Sequence, residues 1–198
     1  MKRAIPSLVA LAALLAGPLA ARADTRAQEA ALRRLQAASG GTAEVSNSRA
    51  TGAARSIRLP PGARGLGRGA ALGAREKQEQ SAAFFRDYGA AMGVSDPASL
   101  RLAGTATDRL GETHLTWKQF LGSVPVYGGT LKTHFDASHR LKAVTGTGIP
   151  DLSLSTIPTW NASRAAEVAL ASVAAERGAS AALGIGATRL WIYRQGLA

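Results

Sequence analysis

Residues 114–136 read His-Leu-Thr-Trp-Lys-Gln-Phe-Leu-Gly-Ser-Val-Pro-Val-Tyr-Gly-Gly-Thr-Leu-Lys-Thr-His-Phe-Asp, and this run constrains the fold more than any other segment. Side chains alternate between the two faces of a strand. Leu115, Trp117, Gln119 and Leu121 therefore share one face, with Thr116, Lys118 and Phe120 on the other. Leu131, Thr133 and Phe135 resume the alternation against Thr130, Lys132 and His134. The spacing predicts two strands, each at least half buried, joined through a glycine and proline corner. Gly122 and the Gly128-Gly129 pair supply positions where φ can be positive, and Pro125 removes a ladder donor. The intervening segment should thus be a bulged corner or a sheet edge, with positive φ at Gly128, at Gly129 or at both.

The remaining mature chain supplies partners for these strands. Thr25-Arg-Ala-Gln28 has capping-box spacing, and Ala31, Leu32 and Leu35 follow at helical intervals up to Gly40-Gly41, which predicts a short first helix. Residues 42–48 and 53–59 read as a hairpin with Ile57 and Leu59 as its apolar residues. The Gly, Pro and Arg content of residues 60–69 predicts a linker or exposed loop, and it lacks the Lys-Ser/Thr ending of a phosphate-binding loop. A helix is expected from Arg75 to Gly93. Its core stripe is Phe84, Phe85, Tyr88, Ala91 and Met92, with Glu76, Lys77, Glu79 and Arg86 on the solvent side. Residues 100–106 and 141–147 read as further strands, the latter after a turn at residues 136–140. Asn161 is a plausible N-cap for a helix to Arg177 whose apolar face is Ala165, Val168, Ala169 and Val173, with Ser172 on the same stripe. The fold class is therefore α+β: a helix packed on an antiparallel β-sheet, followed by a truncated second α+β module.

The two ends of the sequence carry separate expectations. Lys2 and Arg3, the apolar run from Leu8 to Leu15, and Ala21-Arg22-Ala23 before Asp24 have the layout of a cleavable secretory signal, too short in its apolar part to span a bilayer. The expected location is secreted or periplasmic. The net charge is +11, of which Lys2, Arg3 and Arg22 would leave with the signal, so the exported product keeps +8. Its arginines are scattered and form no basic helix, which argues against nucleic acid and for either a solvated basic surface or docking to an acidic partner domain. No cysteine is present, which removes disulfides and thiolate metal sites. At the other end, Leu190-Trp-Ile-Tyr193 reads as a strand with nothing after it to pair with. That suggests a domain cut in the middle, and the segment after Arg177 is expected to be poorly ordered.

Catalytic motifs are missing. His114, His134 and His139 lie in no His-Glu-x-x-His arrangement, and none is four residues from another on a helix. His114 and His134 could share a sheet face if their strands pair in register, but a strand histidine is normally a surface residue, so no metal, catalytic or cofactor-binding residue is assigned. There is no Gly-x-Ser-x-Gly elbow and no paired carboxylate context. Asn161-Ala-Ser163 matches a glycosylation sequon, which its place at a helix start explains structurally.

The corner run resembles the fungalysin/thermolysin propeptide domain, whose signature is a strand bearing Gln, then Gly-x-x-Pro-Val-x-Gly-Gly and an outgoing strand. The matching positions are Gln119, Gly122, Val124, Pro125, Val126, Gly128 and Gly129. His139 departs from the family, which places Gly there. Residues 151–193 look like the passage into a PepSY-type domain, represented by its first helix and first strand. The resemblance divides the chain into a signal peptide (1–23), an N-terminal helix, hairpin and linker (24–74), a propeptide-like domain (75–150) and a truncated PepSY-like module (151–198). It implies an intramolecular chaperone and inhibitor acting in cis on a thermolysin-like zinc metalloendopeptidase whose catalytic domain is not in this sequence. Zinc, with calcium as an option, is implied for that domain alone. The partners are then the cognate catalytic domain, with no nucleic acid and no membrane after signal removal. A free-standing secreted binding protein or protease inhibitor is the alternative.

Overall fold

The computed structural model describes residues 17–60, 73–177 and 184–194. Three α-helices, α1 (Gly17–Ala38), α2 (Ala74–Tyr88) and α3 (Ala162–Arg177), accompany six strands: β1 (Glu44–Asn47), β2 (Ala54–Arg58), β3 (Leu100–Thr107), β4 (Thr113–Leu121), β5 (Val124–Phe135) and β6 (Leu141–Thr147). All six strands form one antiparallel sheet in the order β1-β2-β6-β5-β4-β3. Strands β3 to β6 are a meander, and the β1–β2 hairpin joins it at β6. Because β2 and β3 lie on opposite sides of the meander, the chain between them must cross the sheet, and α2 does so over one face. The α+β expectation holds for this part of the chain.

The covered face is the core. Leu115, Leu131, Phe135, Ile57 and Val144 are buried there against Phe84, Phe85, Met92 and Val94, and Leu35 of α1 closes the same cluster. Phe85 meets Trp117 edge-on at 5.5 Å between ring centroids, a geometry that aligns ring edge with ring face. Helix α2 ends one turn earlier than expected: Gly89–Met92 tightens into a 3₁₀ turn, and Gly93 closes it with φ 79°. The expected stripe survives this change, since Ala91 and Met92 are fully buried.

Two expectations in the helices need correction. Thr25 does not cap α1, because the helix starts at Gly17. The Ala- and Leu-rich residues before Thr25 are strong helix formers, and Pro18 sits in the first turn, where its missing N–H is no loss. Lys77 is not on the surface. It is 6 % exposed and its Nζ donates to Thr113 Oγ1 at 2.8 Å. One turn further along α2, Ser81 Oγ lies 2.8 Å from Thr133 Oγ1, which also accepts from Trp117 Nε1 at 3.4 Å. These polar contacts inside an apolar layer tie α2 to β4 and β5, because each buried polar group must find its partner.

Among the described residues, no helix packs on the opposite sheet face. Register sets Arg58, Ala143, His134, His114 and Ala106 in one row, Ser56, Thr145, Lys132, Thr116 and Gly104 in the next, and Thr147, Thr130, Lys118 and Arg101 in a third. No residue of these rows is buried. The face is polar and basic, as alternation requires of a sheet with one wet side.

The C-terminal part departs most from expectation. Asn161 caps α3 as anticipated, its Oδ1 accepting from Arg164 N at 2.9 Å. However, Ala165 and Val168 are only half buried and Ala169, Ser172 and Val173 are exposed, so the apolar stripe of α3 is not part of the core. Ile192, in contrast, is paired: it bridges to Val126 in parallel and is 5 % exposed. The expected strand at residues 190–193 is reduced to this isolated bridge, and the expectation that nothing pairs with it is corrected at Ile192 alone, where the first half of β5 extends beyond β6 and leaves backbone groups open. Of the linker expected at residues 60–69, all but Pro60 lies outside the described residues.

Phe85→Ala should cost about 3–5 kcal/mol, the usual range for emptying a packed aromatic site. Urea unfolding at fixed temperature is the measurement.

Candidate functional site

The corner between β4 and β5 is where the sequence signature becomes geometry. Gly122 turns the chain with φ 58°, and Leu121 and Phe120 then pair with Val124 and Pro125. The ladder to β5 breaks between Lys118 and Phe120, so Gln119 has no partner in β5, although it still pairs with Leu100 in β3. Gly128 takes φ 75° inside the resulting bulge, a conformation that costs a β-branched residue roughly 1–2 kcal/mol.

The released Gln119 side chain is 3 % exposed and grips another segment. Its Nε2 donates to Ile149 O at 3.1 Å and its Oε1 accepts from Ile149 N at 2.9 Å. A side-chain amide thus replaces a strand in pairing both backbone groups of one residue. Gly129 has ordinary φ; its role is space. A Cβ there would lie 2.9 Å from Gln119 Cβ, 3.0 Å from Gln119 Oε1 and 3.2 Å from Val126 Cβ. Gln119 and Gly129 are therefore one device, the Cβ and the amide oxygen of Gln119 both crowding the place that any side chain at 129 would take.

Val124 and Val126 anchor a second apolar cluster with Ile149 and Ile192, flanked by Leu121 and Leu152. Ile192 N donates to Pro125 O at 2.9 Å and Tyr127 N donates to Ile192 O at 2.8 Å. Arg194 adds a contact to Pro150 O at 3.1 Å. Pro125 therefore does stand on a locally open edge, as its missing donor predicts, and that edge receives the C-terminal segment. Outside the bridge, Tyr127, Trp191 and Tyr193 are 59, 42 and 57 % exposed and touch ring to ring. All seven signature positions meet in this corner, and the chemistry they perform is the holding of backbone.

A second constellation sits at the far end of the uncovered face. His114 and His134 pair across β4 and β5 with their Nδ1 atoms 2.8 Å apart. His134 Nε2 lies 2.8 Å from Thr145 Oγ1, and His114 Nε2 lies 3.2 Å from Asp108 Oδ2. Burial, reinforced by the charges of His114, Lys142 and Lys132, holds the His134 pKa below its ordinary value. Partial desolvation would raise the Asp108 pKa, but hydrogen bonds from Glu112 N, His114 and Leu110 N outweigh it and lower the value. Beside the pair lies an open depression of about 440 Å³ lined by Thr105, His114, Thr116, Lys132 and His134. Sequence reasoning allowed the histidine pairing but missed Asp108 and Glu112. The Asp-x-x-Gly-Glu spacing of the β3–β4 turn, two residues before His114, was the available signal.

Ala21, Ala23 and Asp24 fall within α1, and their side chains lie outside the described residues. His139 has φ 62°, the left-handed conformation expected where the family has Gly. Residues 98–147 match the Fungalysin/Thermolysin Propeptide Motif. No curated protein and no solved structure gave a significant match. The matched span runs from just before β3 to the end of β6 and contains every signature residue, and it supports reading this segment as part of a thermolysin-type propeptide.

The Gln119–Gly129 device predicts non-additivity. Gly129→Ala and Gln119→Gly should each destabilise, while the double variant, which removes both the Cβ and the amide that a side chain at 129 would meet, should be more stable than their sum by about 0.5–3 kcal/mol, the range for residues in direct contact. A double-mutant cycle by denaturant unfolding measures this. Gly128→Val should cost about 1–2 kcal/mol through backbone strain alone.

Proposed function

We propose that this chain is the folding assistant and restraining segment of a thermolysin-like zinc endopeptidase, acting in cis on a catalytic domain. The observation that carries the reading is the propeptide motif over residues 98–147, with Gln119, Gly128 and Gly129 in one mutually dependent corner. Nothing in the sequence supplies a His-Glu-x-x-His zinc motif or a nucleophilic elbow, so its contribution to proteolysis would be through binding. The segment from Pro150 onward, held to the corner through Ile149 and Ile192, would be the start of a PepSY-like second module.

A preformed sheet lowers the folding barrier of a partner by offering surface that the partner need not build itself. The same contact restrains the partner while the two are joined, because a tether gives effective concentrations in the millimolar range and saturates weak contacts. The uncovered sheet face suits such docking. It carries Arg58, Lys118, Lys132 and Arg101 without a covering element, and a basic surface of this kind would favour an acidic partner. Zinc, and any calcium, would belong to the catalytic domain.

The purified exported chain should show no peptidase activity with or without zinc. Mixed with the catalytic domain, it should slow peptide cleavage and raise recovery of that domain from denaturant. Inhibition should be modest in trans and should weaken with rising salt. No effect on either readout at high micromolar concentration would refute the proposal.

Export is tested separately. The proposed signal leads to Asp24 as the N-terminus of exported material by mass spectrometry, and a product that keeps residues 8–15 would refute it.

A further inference from the structure

We propose that Asp108, Glu112 and His114 form a binding site for a divalent ion of the zinc class, with His134 as its positioning residue. The proposal does not depend on the propeptide reading, since it rests on the β3–β4 turn and on the uncovered face alone.

The turn prepares its ligands. Asp108 Oδ1 accepts from Leu110 N at 2.8 Å and Glu112 N at 3.0 Å, which fixes the carboxylate and leaves Oδ2 directed at His114 Nε2, 3.2 Å away. One ligand atom each from Asp108, Glu112 and His114 lie within 4.8 Å of one another. Ligand atoms on a tetrahedral ion with bonds of about 2.0–2.2 Å are about 3.3–3.6 Å apart. Asp108 and His114 are already at that separation, and Glu112, on a turn at the sheet edge, closes by rotating its side chain. Glu112 Oε1 is engaged by Lys142 Nζ, which leaves the second carboxylate oxygen for the ion. One imidazole and two carboxylates suit zinc or cobalt better than magnesium or calcium, which take oxygen ligands alone.

The histidine pair supplies the outer contact that metal-bound imidazoles normally have. Without an ion, the hydrogen bonds can run from the Thr145 hydroxyl to His134 Nε2, from His134 Nδ1–H to His114 Nδ1, and from His114 Nε2–H to Asp108 Oδ2. With an ion on His114 Nε2, the direction reverses. His114 Nδ1–H donates to His134 Nδ1, and His134 Nε2–H donates to Thr145 Oγ1. Both rings stay neutral, the His114–His134 and His134–Thr145 contacts are kept, and the ion takes the place of the proton between His114 Nε2 and Asp108 Oδ2, so the tautomer that binds metal is reached without breaking the sheet. The fourth position on the ion falls to water or to a side chain of a docked partner.

Isothermal titration of the exported chain, prepared without a histidine tag, should show a single zinc site. Cobalt in its place should give the visible absorption of a low-symmetry, four-coordinate ion, and zinc should raise the melting temperature with the logarithm of its excess over Kd. Asp108→Asn, which keeps the turn acceptor, and His114→Ala should each abolish this site. His134→Gln should weaken it about 10–100-fold, the usual effect of losing an outer contact, and circular dichroism should confirm that these variants fold. His139→Asn should bind as the parent does. Absence of zinc binding in the folded chain, parental affinity in folded Asp108→Asn and His114→Ala, loss of binding in His139→Asn, or equal affinity for magnesium would each overturn the proposal.

Discussion

The amide of Gln119 is the contact on which the arrangement of the chain around the corner depends. A side-chain amide in an apolar corner is costly unless both its donor and its acceptor are met, and here both are met by one residue, Ile149. Satisfying it requires that the ladder open opposite Gln119, that residue 129 have no side chain, and that the chain leaving β6 return past β4. The bulge, Gly129 and the path of residues 147–150 are consequences of that requirement. So is the second apolar cluster, since Ile149 packs there with Val124, Val126 and Ile192.

The two sheet faces follow from a different constraint. A crossing from β2 to β3 has to pass over the meander, and α2 passes over one face only. That face becomes core, with Phe85 against Trp117, and the other keeps its polar rows. Within the core, Lys77 with Thr113 and Ser81 with Thr133 and Trp117 lie one helical turn apart. A purely apolar contact would allow α2 to slide along the sheet. These polar pairs resist sliding, because a shift by one residue would bury each group without its partner.

Much of the central sheet was legible from residue order. Period-two alternation placed Leu115, Trp117, Leu131, Thr133 and Phe135 on the buried face, and glycine chemistry anticipated the positive φ of Gly128. The reading failed where a residue type has two stable outcomes. Lys77 reads as a solvent residue because a lysine usually is, yet in the core its Nζ finds the hydroxyl of Thr113. Thr25 was assigned as a cap because its own neighbourhood fits one, although the preceding residues also favour helix. The apolar stripe of α3 predicted burial, but no described element of the chain covers it.

The order of apolar and polar residues was enough to determine the strands, the corner and which face of each strand is buried, because those properties arise from contacts between near neighbours in the chain. Partners distant in sequence were decided only by the tertiary structure. Gln119 finds Ile149, Val126 finds Ile192, and Asp108 and Glu112 come to lie beside a histidine pair formed across two strands. A local pattern records that a residue must be satisfied. Only strand register and the crossing of α2 determine which distant group does so.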